Sequence, residues 1–345
     1  MAMADVMVMG AGIFGLSVAY ACARRGAKVA VVDPSGVGAG ASGGIVGALA
    51  PHVPENWNAK KAFQLESLLM AESYWADVGE RSGISSGYGR LGRIQPLADD
   101  KAVARARERA VNARTLWQGA ARWQVITSVS QEWSVDSPSG HFVFDDLTAR
   151  IQPMRACQSL AAAIQSLGGF VHEESKVRAG AVVWATGWRG LQELSDDLGR
   201  WMGSGVKGQA ALFALDARTR PQLFADALHI VPHANGAVAV GSTSERTFED
   251  PTGVDQQVDG LIAQARALVP ALADAAVIDT WAGVRPRAPS RAPILGPWPG
   301  RPGHFIANGG FKIGFGMAPL IGEVLADLVL ERRDAIPEDF RLTAE

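Results

Sequence analysis

The chain has 345 residues, 48% hydrophobic and 20% charged, with a formal net charge of -2. That length and apolar content allow a sizeable core and exceed one average domain, so two closely packed domains are expected. The near-neutral balance removes the attraction that nucleic acid or an anionic membrane surface would exploit, which leaves a small polar or zwitterionic partner. The two cysteines, Cys22 and Cys157, each fall inside a helical pattern and provide neither a disulfide framework nor a metal site, in keeping with a reducing compartment. The apolar start has no cationic flank and is cut short at Gly10. Neither a targeting peptide nor a membrane span is read there, and a cytoplasmic location is expected.

Residues 6–9 form a short apolar run suited to a buried parallel strand, followed by Gly10-Ala11-Gly12-Ile13-Phe14-Gly15 and a helix through Leu16, Ala19, Tyr20 and Ala23. Arg24, Arg25 and Gly26 close that helix, and residues 29–32 make a second buried strand ending at Asp33-Pro34. This is one β-α-β dinucleotide-binding half. Residues 36–47 are glycine-rich, and residues 60–75 read as an amphipathic helix. Residues 101–117 read as another helix, whose basic residues lie opposite an apolar stripe and therefore form a solvated face. Pro153 opens a third helix that Gly168-Gly169 ends before the strand at 170–172, and residues 182–185 form a strand leaving through Thr186-Gly187. Alternating strands are expected at 210–215, 227–231 and 237–240, the last after an Asn235-Gly236 hairpin turn, so this middle stretch is antiparallel. A helix at 258–268 and an extended stretch at 277–281 follow. The six prolines from Pro286 to Pro302 read as an irregular crossing between domains. A strand at 304–307, a turn at Asn308-Gly309-Gly310 and a helix from Met317 to Leu330, starting near Pro319, complete the chain.

The glycine string follows a strand, opens a helix and is followed by an acidic residue, Asp33, at the tip of the next strand, where a carboxylate can accept from ribose hydroxyls. Its glycines let backbone approach a pyrophosphate at the positive end of the helix, and Asp33 would repel the 2′-phosphate of NADP. FAD and NAD remain open at this point. Residues 38–51, joined to Trp184-Ala185-Thr186-Gly187 and to residues 308–314, together resemble the glycine oxidase, D-amino-acid oxidase, sarcosine oxidase and D-amino-acid dehydrogenase family of amine-oxidising flavoenzymes over nearly the whole chain. The resemblance implies an α/β fold with an α+β substrate domain. A Rossmann-like FAD-binding domain (1–75, 145–205 and 285–345) would accompany an antiparallel-sheet substrate domain (76–144 and 206–284), both discontinuous in sequence. It also implies non-covalent FAD. Carried over, the pyrophosphate falls to Gly10, Ala11, Gly12, Ile13, Phe14 and Gly15, and the adenosine ribose to Asp33 with Pro34 beside it. Ala41, Ser42, Gly47, Ala48 and Leu49 would line the flavin and ribityl chain, and Thr186, Gly187 and Trp188 would lie against the cofactor. Gly310, Phe311, Lys312, Ile313 and Gly314 would bring N–H groups to the pyrimidine edge. The segment before the 182 strand is shorter than in the family, and Val177 is the match for the position beside the adenine.

On the substrate side, Trp281-Ala282-Gly283-Val284-Arg285-Pro286 resembles the family segment whose arginine clamps a carboxylate, and a planar guanidinium takes a carboxylate through two parallel bonds. Lys312 matches a position that holds a carboxylate-binding cation in the family, while His229, Ser244 and His52 fall at or near pocket positions. Trp57, Trp188 and Trp281 are candidate walls. The resemblance implies oxidation of a small amino acid or N-substituted glycine by hydride transfer from Cα to the flavin, with no side chain acting as proton-transfer catalyst. Oxygen or another acceptor would reoxidise the flavin, and oligomeric state stays open. Two other readings stand beside this one: a tRNA-modification oxidase of the same fold, and a non-catalytic nucleotide-binding redox module.

Overall fold

The computed structural model describes residues 3–174 and 178–342. Strand β1 (Met3–Met9), helix α1 (Ile13–Arg24) and strand β2 (Val29–Val32) form the opening β-α-β unit. Eleven of the twelve α1 residues are buried, which is why the helix is apolar all round rather than amphipathic. After β3 (Ala48–Leu49), helix α2 (Ala59–Ser82) is capped by Asn58, which accepts from the Lys61 N–H, and stops at Gly83 in the left-handed region. The sequence pattern reached only residue 75 because the last two turns of α2 are mostly polar.

Next come β4 (Arg93–Pro96), α3 (Asp100–Leu116), β5 (Trp123–Ile126), β6 (Phe142–Asp145) and β7 (Ala149–Arg150). Then follow α4 (Pro153–Ser166), β8 (Phe170–His172), β9 (Arg178–Trp184) and α5 (Gly187–Leu198). Strands β10 (Ser204–Phe213), β11 (Gln222–Ala225), β12 (Leu228–Pro232) and β13 (Val238–Gly241) lead to α6 (Gln256–Leu268) and β14 (Val277–Arg287). The chain closes with β15 (Ile294–Pro297), β16 (His304–Asn308) and α7 (Gly314–Glu331).

The strands form two large sheets. One has the order β15-β16-β9-β1-β2-β8. Its five strands from β16 to β8 run parallel, with β15 antiparallel at the edge. The other has the order β14-β10-β13-β12-β11-β4-β6-β5 and is antiparallel except where β11 meets β4. Helices α1, α2, α4 and α7 share one core with the parallel sheet, and α6 covers the outer face of the second sheet over Ile230, Val240 and Phe213.

Three expectations need correction. The proline-rich crossing contains strand β15, because a sheet edge tolerates proline and β15 pairs with β16. The expected strand at 227–231 is broken at its start, since Asp226 and Ala227 both have positive φ and form the tight turn between β11 and β12. Helix α7 begins at Gly314 rather than near Pro319, which lies inside it. Strands β4, β5 and β6 were not foreseen, because four-residue segments give too short an alternation to read. Among the described residues no helix is long and apolar enough to cross a membrane.

Candidate functional site

In the parallel sheet, β1 lies between β2 on one side and β9 on the other, so chain direction around the sheet reverses between β1 and β9. Ligands of open α/β sheets bind beyond the carboxyl ends of such a pair. Gly10 leaves β1 with φ +108, and a Cβ there would stand 2.4 Å from the carbonyl oxygen of Ala185, the residue after β9. A Cβ on Gly15 would stand 2.0 Å from the Gly10 carbonyl, so both glycines are required by close backbone approach. Gly12 is the N-cap of α1 and offers no side-chain cap. Ser42 lies over the turn, and its hydroxyl accepts from the Ile13 N–H at 2.9 Å. Asp33 accepts from the N–H groups of Ala11 at 2.9 Å and Ser35 at 3.0 Å, which aims the carboxylate into the mouth of the turn. Pro34 is exposed at the rim.

The glycine-rich segment expected to line the flavin is held in place by β3, which pairs with β7. Gly47 has φ +63, and a Cβ there would overlap the Ile151 carbonyl at 1.8 Å. On the other side of the crevice, Thr186 is the N-cap of α5, and Asn308 Nδ2 donates to the Gly187 carbonyl at 2.8 Å. The Gly310 turn is stitched to the end of β14, since Gly310 bridges to Arg287 and the Phe311 N–H donates to the Pro286 carbonyl at 2.9 Å. Phe311 has φ +41, a conformation that costs a non-glycine residue roughly 1–3 kcal/mol and persists only where surrounding contacts impose it. That turn carries Lys312 toward Arg285.

The second sheet presents one face to this crevice. Register places Trp281, Gly283 and Arg285 of β14 beside Ala210, Gly208 and Val206 of β10, with Gly241 and His229 continuing the Trp281-Ala210 row. A Cβ on Gly208 would fall 2.1 Å from the terminal nitrogens of Arg285, so the guanidinium lies flat over a bare strand. Arg285 Nη2 donates to Ser242 Oγ at 2.6 Å, and Nη1 to the Thr243 carbonyl at 3.4 Å. Among the described residues it has no carboxylate partner. Burial pushes its pKa down to about 10, against the opposing pull of Glu245. Loss of solvent and the positive Arg285 both hold the Lys312 ammonium below the usual lysine range. The same face meets the flavin segment directly: Trp281 lies against Gly44, Val46 fills the space over Gly241, and the His233 ring donates to the Ile45 carbonyl at 2.7 Å.

Residues 5–328 match the model of a family described as FAD dependent oxidoreductase. The chain belongs to that family. It is 28% identical to glycine oxidase of Pseudomonas aeruginosa, with 96% of each chain covered, and 27% identical to glycine oxidase of Pseudomonas putida, with 94% of each covered. Its fold is similar to the crystal structure of glycine oxidase from Geobacillus kaustophilus, with a TM-score of 0.85, 23% identity and full coverage of both chains. It is also similar to that of L-proline dehydrogenase from P. horikoshii, with a TM-score of 0.81, 20% identity and 98% and 97% of the chains covered. An FAD-dependent oxidoreductase of the D-amino-acid oxidase group, acting on CH–NH bonds, needs a cradle for a pyrophosphate, and the residues present fit one. Gly10 and Gly15 allow close backbone approach, α1 opens without a side-chain cap, and Asp33 stands at the ribose end.

Of the residues singled out in the sequence, the crevice of this family member gathers the Gly10–Gly15 turn, Asp33, Ala41, Ser42, Thr186, Gly187 and the Gly310–Gly314 turn around one opening. Val177 lies outside the described residues. Trp188 packs edge-on against Phe248 at 6.2 Å, beneath Gly205. Arg285 and Lys312 come together, and His229 joins them, since its pKa is pushed down to about 3 by loss of solvent, then by Arg93 and Lys312. Ser244 does not join: it is exposed, and Ser242 holds the guanidinium in its place. His52 is turned the other way, with its Nδ1 and its N–H both on Gln64 Oε1 of α2 at 2.5 and 2.8 Å. The sequence reading missed Ser242, Arg93 and Gly208, and read Asn308 only as part of its turn. Only the glycine gave a signal, as an isolated Gly inside a strand that marks close approach.

Proposed function

We propose that this chain oxidises a small amino acid or N-substituted glycine at Cα, giving an imine that water hydrolyses to a keto acid and an amine. The observation that carries the reading is the Arg285 guanidinium, desolvated and held flat over Gly208 by Ser242 and Thr243, with no carboxylate partner among the described residues. Leaving a buried cation unpaired is costly, so such a group is fitted to an anion that arrives from outside. The planar fork suits an α-carboxylate, and Lys312 adds a second cation.

Bound FAD supplies a two-electron acceptor for the hydride equivalent released when the Cα–H bond breaks and the amine lone pair closes the C=N bond. The protein's own contribution is orientation. Arg285 and Lys312 fix the carboxylate, Trp281 and Val46 shield the reacting side from water, and the neutral His229 imidazole leaves the amine free of a competing positive charge. No general acid or base is assigned. In this reading the parallel-sheet regions hold the cofactor and the antiparallel sheet the substrate, divided as 1–75, 145–205 and 285–345 against 76–144 and 206–284. Oxygen or another acceptor completes the cycle in the cytoplasm. Anaerobic mixing of the holoenzyme with glycine, sarcosine, proline and D-amino acids tests the reading: bleaching of the flavin absorbance is expected, and its absence with every member sinks it.

A further inference from the structure

Arg93, on β4 at the far end of the same sheet face, is 5% exposed. Its Nε donates to the fully buried Asp145 at 3.3 Å, and its guanidinium carbon lies 5.5 Å from the Phe224 ring centroid. Among the described residues its two terminal nitrogens make no hydrogen bond. Three neighbouring atoms, Gln95 Nε2, Gln222 Oε1 and His229 Nδ1, are buried without a hydrogen-bond partner.

Register shows that these groups converge. Gln222 is the Cα partner of Arg93 across β11 and β4, Gln95 follows Arg93 by two residues on β4, and His229 faces Phe224 with ring centroids 4.5 Å apart. Gln222 Nε2 already donates to the Ala149 carbonyl at 2.7 Å, which orients the amide and fixes the free atom as its oxygen. Buried polar groups in folded proteins nearly always find partners, so three unpaired ones beside the Arg93 terminal nitrogens mark a place built for a polar occupant. The occupant's charge follows from the donors. A buried arginine with only its Nε satisfied, next to a free amide N–H, is fitted to a carboxylate.

The patch is continuous with the Arg285 group. Lys312 stands within charge-interaction range of both Arg285 and His229, and Arg93 within range of His229. In the order β14-β10-β13-β12-β11-β4, Arg93 and Arg285 sit five strands apart. Register puts Arg93 in the row of Asp279, six residues from Arg285, so at ~4.8 Å per strand and ~3.3 Å per residue the backbones are about 31 Å apart. Each guanidinium leans one strand inward, Arg285 over Gly208 and Arg93 over Phe224. The heads then lie over rows only two residues apart, roughly 16 Å from each other, which leaves room for about six bonds between two carboxylate carbons once each is seated. Asp145 balances the charge of Arg93, so an anion there would be held by hydrogen bonds from the Arg93 terminal nitrogens, while the surplus positive charge lies at Arg285 and Lys312.

We propose that the Arg93 end of the face is a second anion subsite, and that the amine oxidised here carries a distal carboxylate about six bonds from the α-carboxylate, on nitrogen or on the side chain. This rests on the reading of the preceding subsection. The test uses the holoenzyme with N-(3-carboxypropyl)glycine and 2-aminoheptanedioate, each against its distal carboxamide, and sarcosine as the short reference. At least one acid should exceed its carboxamide tenfold or more in kcat/KM, and Arg93→Gln should bring that ratio close to one. A wild-type ratio of one or less for both pairs, with sarcosine turned over, overturns the subsite and leaves the patch to water. Failure of every amine overturns the preceding reading instead. Calorimetric titration of the wild-type holoenzyme with heptanedioate and heptanoate decides the subsite without turnover or a variant. Tenfold tighter binding of the diacid is expected, and equal affinity overturns the proposal.

Discussion

The cofactor crevice and the substrate face use the chain in opposite ways. In the crevice, function rests on backbone: Gly10, Gly15 and Gly47 are places where a Cβ would run into a carbonyl at 2.4, 2.0 and 1.8 Å. On the proposed substrate face it would rest on side chains from β4, β12 and β14 and the loop after β13, each held by one or two contacts. Backbone approach needs a particular residue at a particular local position, so it writes a motif. Side-chain convergence needs only that strands remote in sequence fall into register, so it writes none. The two regions should accordingly fail in different ways.

The largest effect is expected from Gly10→Val. A branched side chain at φ +108 meets the Ala185 carbonyl, and neither partner can give way because both are backbone. Strain and clash together should cost roughly 4–5 kcal/mol or more, at the upper end of single-substitution effects. The variant should purify without FAD, as read from the ratio of flavin to protein absorbance. Retention of a full complement of cofactor would show that the crevice is less rigid than its contacts imply. Arg285→Ala should do the reverse. It keeps the flavin spectrum and loses roughly 2–5 kcal/mol of transition-state binding, as when one member of a desolvated ion pair is removed. Unchanged kcat/KM would remove Arg285 from the site.

This contrast also explains what could be read from the sequence. The β-α-β unit and Asp33 were legible because local spacing encodes them, whereas the Ala41-Ser42 loop and the Gly310 turn were read only through the family resemblance. Arg285 was legible only through its surrounding segment. Ser244 was placed where Ser242 acts, a slip of two positions that spacing alone cannot resolve in the loop beyond β13. Arg93 was not legible at all: its strand is four residues long, and its partners Asp145, Gln222 and Phe224 lie 52, 129 and 131 positions away. The proline-rich stretch before β16 misled for a related reason, since prolines report the lack of a donor and not the edge position that makes the lack harmless.

A smaller effect tests the burial of the substrate face. His229 has a folded pKa of about 3 against an ordinary value of 6.5, so the unfolded chain binds more protons between these values. Stability from this group is therefore complete above pH 6.5 and falls as pH drops toward 3, by at most ~1.4 kcal/mol per unit. Urea unfolding at pH 7.5 and 5 should show a drop that His229→Phe reduces by up to ~2 kcal/mol. An identical drop in both proteins would mean that the imidazole reaches water. Smaller again is Ser242→Ala, which removes one hydrogen bond from a charged group and should cost ~1–2 kcal/mol in kcat/KM. Ser244→Ala should stay within about 0.5 kcal/mol, as expected for an exposed side chain. If Ser244→Ala proved the more damaging, the strand register around Arg285 would be wrong.

The smallest predicted effect is none, over a defined range of pH. An unreactive carboxylate bound by the holoenzyme meets Arg285, whose pKa is about 10, and Lys312, which is lowered from the lysine range. Both carry positive charge that is lost as pH rises, so affinity should weaken toward and through pH 10 and never strengthen there. Below that, the titratable side chains facing the pair are His229, already neutral down to about pH 3, and Glu245 beside Arg285. Between pH 5 and 8 the dissociation constant should therefore stay level. The crevice, which binds through N–H groups that do not titrate, should hold FAD equally well across the same interval. A step in carboxylate affinity near pH 6.5 would show that His229 is solvated and takes up a proton beside the anion, and the substrate face would then be wetter than its packing indicates.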